Sequence, residues 1–255
     1  MESEISIAVV CLIGSFATFF SGFGLGTILL PVFSLYFPIE LAVLATAIVH
    51  FANNVFKMSL MSKHLDFSLF KRFGVPALIG AILGASLLTL VGNAGIFYSS
   101  PIWEGKDISY ISFFIGLLML IFVVFEWKPI RFTVSNSRYF LPLGGLLSGF
   151  FGGFSGHQGA LRSAFLSKVT IDKQLFVATS VLISLCIDVS RISIYSSVTD
   201  WKELNFSFLF LGAISAFIGS ILGKRYLNKV SYGFIKWMVA LFLSGMSVLI
   251  LLGGI

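Results

Sequence analysis

Hydrophobic positions run along this chain in blocks rather than stripes. The apolar segments are 5–37, 41–62, 73–93, 108–127, 139–167, 174–198, 206–227 and 233–254. Several approach or exceed the ~20 residues that a helix needs to cross a bilayer. Two of them differ from the rest. Segment 5–37 is interrupted by SGFGLG at Ser21–Gly26, and segment 139–167 by GGFSGHQG at Gly152–Gly159. Each is too long for one ordinary span, and glycine in its middle permits backbone angles that a helix cannot use. The pattern predicts an all-α polytopic membrane protein with almost no soluble part.

The polar positions repeat. At one constant offset along the chain, Thr46 pairs with Ser180, His50 with Ser184, Asn54 with Asp188, Lys57 with Arg191 and Asp66 with Asp200. LAT at 44–46 echoes VAT at 177–179, and GAILG at 80–84 echoes GSILG at 219–223. Each half reads as a glycine-broken hairpin followed by three transmembrane helices: residues 1–127 as a first membrane repeat, 128–138 as a linker and 139–255 as a second repeat. Duplication of this kind is common in secondary transporters.

Charge decides how the halves are oriented. Lys57, Lys63, Lys71 and Arg72 crowd one connection, and Lys224, Arg225, Lys229 and Lys236 another. Loop 127–138 carries Lys128, Arg131 and Arg138. Basic loops mark the cytoplasmic side. All three fall there only if each broken segment enters and returns on one side. The halves are then inverted repeats, and both termini lie outside. In this arrangement Lys57 snorkels from the membrane edge.

Composition agrees with the pattern. The chain is 57% hydrophobic and 11% charged, with 29 Phe among 255 residues, against about 25% charged in soluble domains. The net charge of +6 is explained by short loops and does not indicate nucleic-acid binding. The N-terminus MESEISIAVV lacks a basic n-region, so a cleaved signal peptide is not expected. Cys11 and Cys186 lie in apolar segments without zinc-ligand spacing and are expected as packed thiols. No metal cluster, cofactor motif or nucleophile–base pair is visible. GFGLG lacks the βαβ context of a dinucleotide fingerprint, and GSILGKR departs from a P-loop in its glycine spacing and in Arg225.

The candidate chemistry lies on two helical faces and one hairpin. Thr46, His50, Asn53, Asn54 and Lys57 share one face of segment 41–62; Ser180, Ser184, Asp188, Arg191 and Tyr195 share one face of segment 174–198. Hydroxyls on such faces also serve helix packing. Ionisable groups inside a membrane, by contrast, face a partner or a wet cavity. Asp188 and Arg191 are three residues apart and can pair. Between Tyr139 and Ser167 the one charged residue is Arg162, preceded by His157 and Gln158. If helix resumes near Gly159, the Arg162 guanidinium points back at the hairpin tip, beside the free N–H groups and positive dipole of the first turn. Arg162, His157 and Gln158 would then bind an oxyanion, with backbone N–H groups of Gly22, Gly24 and Gly26 facing them from the uncharged first hairpin. The alternative is that Arg162 pins its hairpin to backbone carbonyls or to Asp188. His50, Asn54, Asp188, Arg191, Ser180 and Thr46 would line the route, with His50 or Asp188 able to carry a coupling proton.

One order of motifs spans both halves: a glycine-rich break, ILLP (28–31), LAVLAT (41–46), LDF (65–67), GAILGA (80–85), then FVATS (176–180), TDW (199–201) and GSILG (219–223). In this order the chain resembles the TauE/SafE sulfite-exporter family, also called TSUP. The resemblance implies a multi-pass carrier, not an enzyme, in the bacterial inner membrane, moving sulfite, thiosulfate or organosulfonates. It departs at the second hairpin, where the family has more glycine and a Val-Pro-like step, and this chain has Arg162. The expectation is a secondary transporter of small sulfur-containing anions, bound between the hairpin tips near mid-membrane. The alternatives are a passive anion channel or a membrane assembly factor with no transported solute. The expected partners are a small anion and the lipid bilayer, with a homodimer left open.

Overall fold

The computed structural model describes residues 2–21, 24–61, 64–127, 138–166, 168–169, 172–226 and 232–255. Helices dominate it. The first broken segment is a long helix α1 (Glu2–Ser21) and a short helix α2 (Leu25–Phe33), and α3 (Ile39–Met61) follows. A short α4 (Phe67–Leu69) passes through a π-helical turn, Phe70–Gly74, into α5 (Val75–Gly92). The connection to α6 (Tyr110–Trp127) forms a small antiparallel hairpin of β1 (Ile96–Ser99) and β2 (Asp107–Ser109). The second broken segment is α7 (Phe140–Ser155) and α8 (Gly159–Leu166). Then come α9 (Lys173–Tyr195), α10 (Phe206–Tyr226) and α11 (Tyr232–Leu252). Each hairpin therefore pairs one long arm with one short arm.

Among the described residues, four helices are long and apolar enough to cross a membrane: Ile39–Met61, Phe67–Gly92, Gln174–Tyr195 and Phe206–Tyr226. α1, α6, α7 and α11 contribute shorter apolar stretches. The chain is a multi-pass helical membrane protein.

Two seams bring backbones into contact. Gly145, Gly149 and Gly153 of α7 lie directly against the backbone of Phe73, Ala77 and Ala81, which continue into α5. The positions rise together in steps of four, so α5 and α7 run parallel. Gly212, Gly219 and Gly223 of α10 lie against Ile7 and Cys11, then Leu12 and Phe16, then Phe16 and Phe19 of α1. Those two helices are also parallel. The seams match in detail: a Cβ at Gly80 would meet Leu146 O and Phe150 N, and one at Gly219 would meet Leu12 O and Phe16 N. Leu12 and Phe16 precede Leu146 and Phe150 by the same offset that relates the polar positions of the two halves. Small residues permit such close approach between membrane helices.

α3 and α9 instead cross antiparallel. Thr179, near the start of α9, accepts the backbone N–H of Asp66, just beyond the end of α3. Asp188 meets His50 and Asn54 further along. These directions fix where the hairpins return. α10 starts at the end of the bundle where α9 finishes. α1 runs parallel to α10 and α3 antiparallel to α9, so α1 and α3 both start at that same end. The first hairpin thus goes in and comes back. By the same reasoning α7 and α9 both start at the opposite end, and the second hairpin returns there.

The apolar core has two parts. The larger gathers α1, α2, α3, α6, α10 and α11 around residues such as Leu29, Leu44, Ile115 and Leu243. The smaller joins Phe73, Ala77 and Ala81 to Phe165, Leu166, Ile183 and Ile187. Cys11 and Cys186 are both free thiols, the first buried.

Candidate functional site

The two hairpin tips meet. α2 starts after Gly24, and a Cβ at Gly24 would stand 3.7 Å from Gly156 O and 3.9 Å from Gly159 N, the first residue of α8. The second tip turns through Gly156, whose φ of 80° is left-handed and favours glycine. Its amide N–H returns to Gly152 O, closing the C-terminus of α7. Two helix N-termini and their free N–H groups therefore face each other inside the bundle. Gly24 and Gly26 lie where the two segments approach. Gly22 lies outside the described residues.

Arg191 reaches this point from α9. A Cβ at Gly156 would stand 2.8 Å from Arg191 Nη1, and one at Gly26 3.7 Å from Nη2 and 3.6 Å from Thr46 Cγ2. Glycine at position 156 is what admits the guanidinium; a Cβ at Gly26 would make only ordinary contact with it. Its Nε donates to Asp188 Oδ1 at 3.0 Å, and Nη2 lies 2.9 Å from the same oxygen in an i,i+3 ion pair. Nη2 lacks hydrogen-bond geometry in that contact, and Nη1 has no acceptor.

Asp188 joins the two helical faces. Oδ2 accepts from His50 Nδ1 at 2.7 Å and from Asn54 Nδ2 at 3.0 Å. Asp188 and Arg191 are both fully buried. The spacing expected to let this pair neutralise itself does so. His50 and Asn54, one helical turn apart on α3, hold the carboxylate from the other side.

Arg162 lies in the first turn of α8, buried with 5% exposure. Nη1 donates to Gln158 Oε1 at 3.2 Å and to Ser184 Oγ at 2.5 Å. The guanidinium thus leans back toward the tip and across to α9. Its partners are neutral side chains rather than the backbone carbonyls or Asp188 of the pinning alternative. Its Nε has no partner.

His157 and Gln158 are buried at the tip. The His157 ring stacks on Phe122 at 5.4 Å, and Nδ1 meets Ser155 Oγ at 2.9 Å. Ser148 donates to Gln158 O at 3.0 Å. His157 Nε2, Gln158 Nε2, Thr46 Oγ1 and Ser180 Oγ are buried without partners. Native interiors leave few polar atoms in that state. Thr46 lies on α3, Ser180 on α9, and His157 and Gln158 at the second hairpin tip. Free donors at the tip suit an anion. Among the described residues, no group of three or more His, Cys, Asp or Glu is placed to hold a metal.

Two residues of α3 sit differently from their sequence reading. Lys57 does not snorkel. It is buried, and its ammonium lies 5.5 Å from the Phe19 ring centroid. Polar positions before it on α3 face inward, and the same face carries it into the bundle. Asn53 leaves the shared face of α3. Its Oδ1 accepts from Ser220 at 2.8 Å and Ser15 at 3.3 Å, a separate cluster joining α3, α10 and α1. On α9, Tyr195 donates to Gly153 O and anchors the end of α7 rather than lining the seam. Ser184, the partner of Arg162, was visible on the polar face of α9, but only the fold shows what it holds.

No curated protein matches this chain. The sequence matches the family described as Sulfite exporter TauE/SafE over residues 6–250, nearly its whole length.

Proposed function

Because the chain belongs to the TauE/SafE sulfite exporter family, we propose that it is a secondary transporter that binds a small sulfur oxyanion or organosulfonate where its hairpin tips meet α3 and α9. The observation that carries the reading is the set of unpartnered buried donors: Arg162 Nε, Arg191 Nη1 and Gln158 Nε2. An oxyanion satisfies such groups through paired hydrogen bonds, and a planar guanidinium suits it in particular. Two facing helix N-termini add to the attraction.

The inverted-repeat organisation, with 1–127 and 139–255 as repeats and both termini outside, is supported by the antiparallel crossing of α3 and α9 and by the matched seams of α1 with α10 and α7 with α5. Placement in a bacterial inner membrane rests on the family. His50, which bonds Asp188 from α3, or Asp188 itself would carry a coupling proton.

Arg162→Ala tests the assignment. In proteoliposomes it should abolish uptake or efflux of sulfite while leaving the protein folded and inserted. Wild-type flux in this variant would remove Arg162 from the site. Flux that ignores an imposed proton gradient would favour the passive channel.

A further inference from the structure

The transport reading leaves one buried cation without a role. Lys57 is 7% exposed, and no carboxylate among the described residues forms an ion pair with it. The Phe19 ring beneath its ammonium is weak compensation for a charge removed from water.

The duplication shows what is missing. Lys57 corresponds to Arg191 and Asn54 to Asp188 at the offset common to both halves. In α9 the cation is accompanied by its counter-ion, with Arg191 Nη2 2.9 Å from Asp188. In α3 the carboxylate position is the neutral Asn54, which itself turns to Asp188 at 3.0 Å.

The antiparallel register sets what Lys57 faces. His50 and Asn54 flank Asp188. One turn further along α3, Lys57 is level with Ser184, one turn earlier on α9. Ser184 Oγ holds Arg162 Nη1 at 2.5 Å. Lys57 and Arg162 therefore lie at about the same level of the bundle, near enough for their like charges to interact. Ser180, another turn along α9, also leaves its hydroxyl unpartnered. Lys57, Arg162 and Arg191 share a single buried carboxylate among the described residues, an excess of two positive charges.

We infer that Lys57 and Arg162 form a two-charge site, so that this chain selects a doubly charged oxyanion over a singly charged one. A dianion between the two cations removes their repulsion and matches both. A monoanion leaves one charge unmatched in a low-dielectric seam, where such a mismatch is costly. This rests on the transport reading and sharpens it: sulfite as its dianion or thiosulfate fits, and an alkylsulfonate does not.

The test titrates thiosulfate and methanesulfonate, at constant ionic strength, into the full chain in detergent by calorimetry. Wild type, Lys57→Met, Lys57→Arg and Arg162→Ala are compared. The expected result is that wild type binds thiosulfate at least about tenfold more tightly than methanesulfonate, a difference of about 1.4 kcal/mol. Lys57→Met should remove that preference while methanesulfonate affinity stays within about threefold. Lys57→Arg should keep it. A wild type that binds both anions equally overturns the inference even if Lys57→Met fails to fold. So does a Lys57→Met variant that retains the preference, or that weakens both anions alike. If Arg162→Ala abolishes binding in either of those cases, the transport reading stands without the charge rule. A wild type that binds neither anion overturns the charge rule, and sulfite flux in proteoliposomes then decides the transport reading separately.

Discussion

Asp188→Asn isolates the centre of the polar seam. The carboxylate accepts three hydrogen bonds, from His50 at 2.7 Å, Asn54 at 3.0 Å and Arg191 Nε at 3.0 Å. Each charge-assisted bond contributes about 1.5–3 kcal/mol. Asparagine keeps one acceptor oxygen, so the losses do not add in full. The larger effect is on Arg191, which is fully buried and would lose its one counter-ion among the described residues. Breaking a buried ion pair from one side costs about 3–5 kcal/mol, and that is the expected destabilisation. The assay is equilibrium unfolding in mixed detergent micelles of wild type, Asp188→Asn, Arg191→Met and the double variant. Removing the stranded guanidinium should make the double variant at least about 2 kcal/mol more stable than the sum of the two single effects predicts, a coupling in the range for residues in direct contact. If Asp188→Asn unfolds within about 0.5 kcal/mol of wild type, or the two effects simply add, Asp188 does not neutralise Arg191 in the way the geometry requires.

Two other outcomes concern the scaffold. A Cβ at Gly149 would run into the backbone of Ala77, whereas one at Gly245 meets nothing within 4 Å; Gly149→Val should therefore destabilise by about 1–3 kcal/mol or more, and Gly245→Ala should be neutral or stabilising by up to about 1 kcal/mol. Equal melting temperatures would deny the backbone seam between α5 and α7. Single cysteines introduced at His64 and Lys224 in a background lacking Cys11 and Cys186 should react with an impermeant maleimide only from the cytoplasm, and one at Asp200 only from outside. Labelling of Lys224→Cys from outside would break the rule that both hairpins return.

Much of this was legible in the sequence because membrane helices must satisfy their own backbone. Apolar blocks therefore translate directly into elements, and glycine clusters mark where an element breaks. The unequal arms were not legible: nothing in SGFGLG or GGFSGHQG says that helix persists for 20 residues before one break and 16 before the other. The polar faces of α3 and α9 could be drawn from spacing alone, and the Asp188–Arg191 pair followed from it. What spacing cannot supply is the register between two helices. That register puts Asn54 against Asp188, Arg162 against Ser184 and Lys57 inside the bundle. Read one loop at a time, Lys57 belonged with Lys63 and Lys71 as a basic edge. Its correspondence with Arg191 in the duplication was the signal that it belongs inside.

The seams also limit how such a carrier can move. Rocking residues 1–127 as one body against residues 139–255 would pull α1 from α10 and α5 from α7. Both contacts are made backbone to backbone through glycine, so separating them would open the closest-fitting surfaces between the halves. The α3–α9 crossing is different. It is held by His50, Asn54 and Asp188, groups that can exchange partners with an anion or a proton. Under the transport reading, the bodies that shift are therefore composites. One joins α1 and α2 to α10 with α3, and the other joins α7 and α8 to α5 with α9. Each borrows its docking helix from the opposite half, and each carries one hairpin tip. The site then lies on the plane where the composites meet, and the Asp188 network is the contact that an arriving anion would compete with.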